Sequence, residues 1–229
     1  CPRWRSPATA ALASRHPVSF PVANRVGGRW GSLLARPAEA GGPRPRGRPA
    51  PFSVDALARG GAAARAAGRT FVPTEECEHR HEVNRGAVND DNAWAVGGAA
   101  GHAGIFSTAR DVAAFGQAWL EALHGRRSPV PAAVAAEFAR RDGTPGTTRA
   151  LGWDTPSEEG SSLGARLGRK GRGAIGHLGF TGTSLWVDVE REVVVALLTN
   201  RVHPSRENEL IRAFRPRFHD AVAEALGIE

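Results

Sequence analysis

The stretch from Gly176 to Asn200 constrains this chain more than any other. It opens with Gly176-His177-Leu178-Gly179-Phe180-Thr181-Gly182-Thr183-Ser184 and continues into a strand-forming run, Leu185 to Val189. A charged turn, Glu190-Arg191-Glu192, leads into Val193-Val194-Val195-Ala196-Leu197-Leu198. Two apolar β-branched runs joined by so short a turn predict an antiparallel pair. The second run is apolar without alternation, so it is expected to be a central strand covered on both faces. A His-x-Gly at the start of this hairpin sets one imidazole beside main chain that no Cβ screens, and glycine lets another molecule approach that backbone. Backbone N–H groups exposed in this way suit a developing oxyanion, which points to acyl-transfer chemistry.

The helices read from periodicity. Thr108-x-x-Asp111 is a capping box, in which a hydroxyl accepts from an early N–H and a carboxylate sits at the positive end of the dipole. Val112, Phe115, Trp119 and Leu123 follow near a 3.6-residue period, predicting a helix over 108–123. Pro131 is suited to begin a shorter helix ending near Arg140. Leu151 to Asp154 suggests a short strand, and residues 155–173, Gly/Ser-rich and charged, a surface loop. A last helix carries Leu210, Ile211, Phe214, Phe218, Val222 and Leu226 on one stripe, with Pro216 expected to kink or split it.

Residues 1–70 have another texture. Ala, Arg, Gly and Pro dominate, and twelve arginines face only Asp55 and Glu39. The whole chain carries +7, so residues 71–229 are net acidic and the basic charge belongs to the N-terminal third. The run from Gly41 to Pro51 cannot sustain a helix or a central strand. Few large apolar side chains are present to offset chain entropy, so this third is expected to be poorly ordered. Its arginines could attract polyanions, but Trp4, Phe20, Trp30 and Phe52 are too scattered to form a base-stacking surface, and no specific nucleic-acid partner is expected. No apolar run approaches the length of a membrane span. No signal peptide is visible, and with no Met in the chain and Cys1 at its head the compartment is not legible.

Two clusters suggest other chemistries. Gly97-Gly98-Ala99-Ala100-Gly101-His102-Ala103-Gly104 opens a helix, but it lacks the Lys and preceding strand of a phosphate loop, and reads better as a tight loop packed on a sheet. Cys77, His79, His81, His102 and His177 supply metal-ligand types. Cys-x-His-x-His is not a recognised zinc spacing, so solvated side chains, no metal and no cofactor are expected. Cys1 and Cys77 are too few for a disulfide framework and are read as free thiols.

Three stretches resemble the C-terminal half of the β-lactamase-related serine hydrolases, the family of class C β-lactamases, DD-carboxypeptidases and related esterases. They are Asn92 to Val112, then Leu151-Gly152-Trp153, then His177 to Ser184 with its hairpin and Leu198-Thr199-Asn200-Arg201, in the family's order and spacing. The resemblance implies an α/β (α+β) domain over 71–229, a partial β-lactamase/transpeptidase-like fold whose antiparallel sheet carries the C-terminal helix. It implies hydrolysis of an amide or ester, in a small-molecule or peptidoglycan-like substrate, through an acyl-enzyme. His177-Leu178-Gly179 matches the third active-site element, so His177 would tune the site's electrostatics or hold a substrate carboxylate. Gly179, Phe180 and Thr181 would border the oxyanion, with Phe180 donating its N–H, a donor whose loss costs about 3 kcal/mol of transition-state stabilisation.

Two of the family's three elements have no match. The only lysine is Lys170, preceded at the nucleophile spacing by Leu167, so Ser-x-x-Lys is missing. The chain has no tyrosine, so Tyr-x-Asn is missing too. Three origins fit: a truncated gene read in a shifted frame before about residue 70, a fragment of a longer protein, or a non-catalytic relative. The abrupt change of texture at Phe71 favours the first. The chain alone is therefore expected to be inactive. The alternatives are a binding domain of the same family and a basic polyanion binder.

Overall fold

The computed structural model describes residues 12–15, 18–19, 71–98, 100–168 and 173–229, the first two segments as backbone only. Its centre is a five-stranded antiparallel sheet in the order β2-β1-β7-β6-β5. The strands are β1 (Leu12–Arg15), β2 (Val18–Ser19), β5 (Ala174–Leu178), β6 (Thr183–Asp188) and β7 (Val193–Leu198). A separate two-stranded hairpin pairs β3 (Pro73–Cys77) with β4 (Glu82–Arg85) across a single 3-10 turn, Glu78–Arg80. The predicted antiparallel pair is present, with Trp186 opposite Val195 and Val187 opposite Val194.

β7 is central, as its unbroken apolarity requires. Val193 through Leu197 are all buried. Alternate residues serve opposite layers. Val194 and Ala196 join Ile175, Leu185 and Val187 beneath α2 (Ala109–Leu123) and α3 (Ala132–Ala139). Val193 and Val195 join Ala174 and Trp186 beneath α4 (Ile211–Ala225). The sheet is thus sandwiched between helices, in the α+β arrangement expected.

Of residues 1–70 only two short strands are described. Leu12–Arg15 pairs with β7, Ala13 opposite Val195. A fully apolar strand with an open edge offers a ladder to any extended segment, and short β1 takes it. Other residues of 1–70, including the proline-rich run, lie outside the described residues.

α2 begins as predicted. The Thr108 hydroxyl accepts from Asp111 N–H at 3.2 Å and donates to its carboxylate at 3.0 Å. Its buried row differs from the large apolar residues of the periodic pattern. Ala113, Gly116, Trp119 and Leu120 face inward, while Val112, Phe115 and Leu123 are only partly buried. The reason is close packing: a Cβ on Gly116 would lie 2.7 Å from Val194 Cγ1 and 2.9 Å from Leu185 Cδ1. The aromatics of α2 instead meet Trp153, whose ring stacks on Phe115 at 6.0 Å and meets Trp119 edge-on at 5.1 Å.

Three local expectations are corrected. Leu151 to Asp154 forms no strand; Asp154 alone bridges the outer edge of β5, exchanging bonds with Gly176 at 2.7 and 2.9 Å. The 155–173 segment is not simply a surface loop, because Leu163 and Leu167 are each 1% exposed, packed under α4. Its backbone is tied down by carboxylates, Asp220 accepting from Ala165 N–H at 2.7 Å and Asp188 from Gly168 N–H at 2.8 Å. Finally, α4 runs unbroken through Pro216. The row it buries is Ile211, Arg215, His219 and Ala223, one position away from the apolar stripe, and Leu210 and Phe214 stay 79% and 42% exposed. Among the described residues no helix is long and apolar enough to cross a membrane.

Candidate functional site

The candidate site is the turn joining β5 to β6. β5 is the edge strand, and its burial falls away along its length: Ala174, Ile175 and Gly176 are buried, whereas His177 is exposed. Gly176 is required by the neighbouring strand, since a Cβ there would run into the Trp186 indole and sit 2.6 Å from Leu185 O. His177 pairs with Leu185 and so extends from the sheet edge, its ring making no bond to any described residue.

Gly179-Phe180-Thr181-Gly182 closes as a β-turn, Gly182 N–H donating to Gly179 O at 3.1 Å. Gly182 sits at φ +108°, in the glycine region, and a Cβ there would meet Thr199 Oγ1 and, at 3.0 Å, Arg201 N. Below the turn, Gly179 N–H donates to Thr183 O at 2.8 Å and Arg201 N–H to Thr181 O at 3.0 Å. The Phe180 N–H donates to no group among the described residues. The Thr181 N–H likewise donates to no group among the described residues, whereas the Gly179 and Gly182 amides are held, so Phe180 and Thr181 carry the turn's available donors.

Two arginines that sequence reading missed hold the turn. Arg215, buried on α4, donates from one Nη to Gly179 O at 2.9 Å and Thr183 O at 2.8 Å. Burial, and then the charge of Arg201, lower its pKa from the usual guanidinium value. Arg201 donates from Nε to Phe180 O at 2.8 Å and lies over the Phe180 ring, 4.3 Å from its centroid. Its Nη1 donates to both Arg206 O at 2.6 Å and Asn208 O at 2.9 Å. Beside the turn a cavity of about 330 Å³ opens toward the start of α4, lined by Leu178, Phe180, Arg201, Glu209, Arg212 and Arg215. The signal for Arg215 was a charged residue on the helix row shared with Ile211, His219 and Ala223, visible only once the buried row is known.

The structure brings His177, Gly179, Phe180 and Thr181 together on one turn. It does not gather Cys77, His79, His81, His102 and His177 into one cluster. Cys77, a buried free thiol, and His79 stand close, with Sγ 3.2 Å from Nδ1. His102 instead holds Asp90 at 2.9 Å, and with the Ala93 N–H, the larger influence, keeps that carboxyl below its ordinary pKa. In the glycine-rich loop, a Cβ at Gly97, Gly98 or Gly101 would meet nothing within 4 Å.

Comparison with known proteins follows the same line. The family described as Beta-lactamase matches residues 32–215, beginning well ahead of Phe71. A putative D-alanyl-D-alanine carboxypeptidase of Salmonella gallinarum is 33% identical over 121 residues, 52% of this chain and 27% of the relative. The protein of the same description from Salmonella agona is 32% identical over the same length. The chain thus spans about a quarter of the length of these curated relatives. A solved β-lactamase from Mycobacterium bovis overlaps loosely, at 22% identity and a TM-score of 0.42, over 54% of this chain and 46% of that one. With a family match spanning well over half of its residues, the chain belongs to the Beta-lactamase family.

Proposed function

We propose that this chain supplies one wall of a serine-hydrolase cleft that cleaves an amide or ester bond through an acyl-enzyme. His177 sets the electrostatics of the wall, and the Phe180 N–H is its oxyanion donor, with Gly179 and Thr181 shaping the approach. The observation that carries this reading is the Phe180 amide, a free donor on a turn whose Gly179 and Gly182 amides and Gly179, Phe180 and Thr181 carbonyls are bound. A donor fixed before the reaction stabilises developing charge without reorganising, and that preorganisation is what such a site needs. The D-alanyl-D-alanine carboxypeptidase description of the relatives favours a peptidoglycan-like substrate.

Within this sequence the wall is catalytically silent. No Ser-x-x-Lys supplies an activated alcohol, and no tyrosine supplies a base. The chain is therefore expected to turn over neither nitrocefin nor p-nitrophenyl acetate above background. Turnover that His177→Ala abolishes overturns the silent reading. The wall itself is tested by titrating a β-lactam while following amide resonances. The Phe180 amide and His177 ring are expected to shift saturably without covalent adduct by intact mass. No shift at either residue sinks the cleft assignment.

A further inference from the structure

A second cluster lies away from the turn, where the β3–β4 hairpin meets α1 (Asp91–Ala95). Cys77 closes β3, His79 lies in the 3-10 turn that follows, and Asp91 is the first residue of α1. One ligand atom from each, a thiol sulfur, an imidazole nitrogen and a carboxylate oxygen, lies within 4.8 Å of the other two. His79 Nε2 is 3.2 Å from Asp91 Oδ1 and 3.8 Å from Cys77 Sγ. A tetrahedral zinc with bonds of about 2.0–2.3 Å separates nitrogen from oxygen by roughly 3.3 Å and nitrogen from sulfur by roughly 3.5 Å. The two nitrogen separations already stand near those values, and the sulfur and oxygen lie within 4.8 Å of each other.

The setting suits a metal held by three ligands. Cys77 is 4% exposed and fixed by strand pairing, while the His79 and Asp91 side chains are 52% and 45% exposed. One ligand is rigid and two can turn to close on an ion, with the outer side open to water. The carboxylate is oriented from behind: Arg80 donates to Asp91 Oδ1 at 2.7 Å. Arg80 is itself buried, bonded to Val88 O at 2.7 Å and Asn89 O at 3.2 Å, and stacked 4.7 Å from the Trp94 ring. Hydrogen bonds of this kind to a ligating carboxylate are a regular part of metal sites.

Charge opposes the ion in part. Arg80 and Arg206 both approach Asp91, at 2.7 and 3.7 Å, though Glu75 pairs with Arg206 at 2.9 Å and offsets it. The cysteine decides the balance, because binding displaces its proton to solvent and adds a thiolate to the carboxylate. A soft sulfur with one imidazole selects a zinc-class ion over magnesium or calcium. Cys-x-His-x-His alone is no zinc spacing, but the third ligand here comes from Asp91, on another element. We propose that Cys77, His79 and Asp91 form a binding site for one zinc-class divalent ion, with water completing its coordination. Such an ion would clip the β3–β4 hairpin to α1.

The test uses the full chain carrying Cys1→Ser, so that Cys77 is the only thiol, freed of metal and titrated with Co²⁺. A thiolate-to-cobalt charge-transfer band with the visible bands of tetrahedral cobalt is expected, saturating near one equivalent and displaced by Zn²⁺. Cys77→Ser should remove the charge-transfer band, and His79→Ala, an exposed change that spares the fold, should weaken binding at least tenfold. His102→Ala should leave the titration unchanged. A folded protein, judged by circular dichroism, that gives no charge-transfer band overturns the proposal. So does a band that survives Cys77→Ser, or binding indifferent to His79→Ala.

Discussion

The guanidinium of Arg215 holds the carbonyl of Gly179 at 2.9 Å, joining the C-terminal helix to the turn after the His-x-Gly strand. The same Nη holds Thr183 O at 2.8 Å, so one cation closes both ends of the turn that presents Phe180. A buried cation with no carboxylate on it is costly unless carbonyl dipoles replace its water. Here they do, and the helix places them.

Arg215→Met keeps much of the side chain's volume and removes both bonds. Hydrogen bonds to charged groups contribute about 1.5–3 kcal/mol, so a stability loss of roughly 2 kcal/mol is expected. The turn should loosen with it. Chemical denaturation measures the first effect, and faster hydrogen exchange at Gly179 and Gly182 the second. Exchange unchanged at those amides would show that Arg215 does not hold the turn.

Gly116 decides how closely α2 approaches the sheet. Alanine in a helix interior gains about 1 kcal/mol over glycine in propensity. Overpacking a tight contact costs about 1–3 kcal/mol. The new Cβ would stand 2.7 Å from Val194 Cγ1, on a side chain that cannot swing away. Packing therefore outweighs propensity, and Gly116→Ala should destabilise, with Gly116→Val worse. A raised melting temperature in Gly116→Ala would reverse the ranking.

His219 predicts acid sensitivity. Its ring is fully buried, with Nδ1 within 2.9 Å of Ser162 O and 2.8 Å of Arg215 O. Burial pulls its pKa down to about 4, against the partial opposition of those two carbonyls. The unfolded chain, near the ordinary histidine value of about 6.5, binds the proton first, so stability falls as pH drops from there toward 4. At most about 1.4 kcal/mol is lost per pH unit in that window. His219→Asn, which keeps a donor near the Nδ1 position and cannot charge, should flatten this slope in melts at stepped pH. An equal slope in the variant would place the acid sensitivity elsewhere.

Asp188 anchors the buried loop. It is 2% exposed, and its carboxylate accepts from Gly168 N–H at 2.8 Å and from Arg191 N–H at 2.9 Å, with the Arg191 guanidinium at 3.2 Å. Breaking a buried pair by removing one partner costs about 3–5 kcal/mol. Asp188→Ala should lose at least the lower figure in urea unfolding and expose the 155–173 segment to proteolysis. A loss under about 1 kcal/mol would contradict the anchor.

Elements whose signals are local were legible in the residues alone. The β6–β7 hairpin and its central strand follow from two apolar runs and a charged turn. The start of α2 follows from Thr108 and Asp111, three residues apart. His177, Gly179, Phe180 and Thr181 fall at one strand end and its turn because they are neighbours in the chain. Tertiary structure alone decided the rest, because those contacts join residues far apart in sequence. Arg215 reaches Gly179 from 36 positions away, and Asp220 reaches Ala165 from 55. Leu163 and Leu167 looked like parts of a polar loop until α4 covered them. The buried row of α4 was set by its need to cover β7 and clasp the turn, which turned Arg215 and His219 inward and left Leu210 and Phe214 outside. A periodic pattern shows that a helix has a face; only the partner it packs on selects which row that face presents.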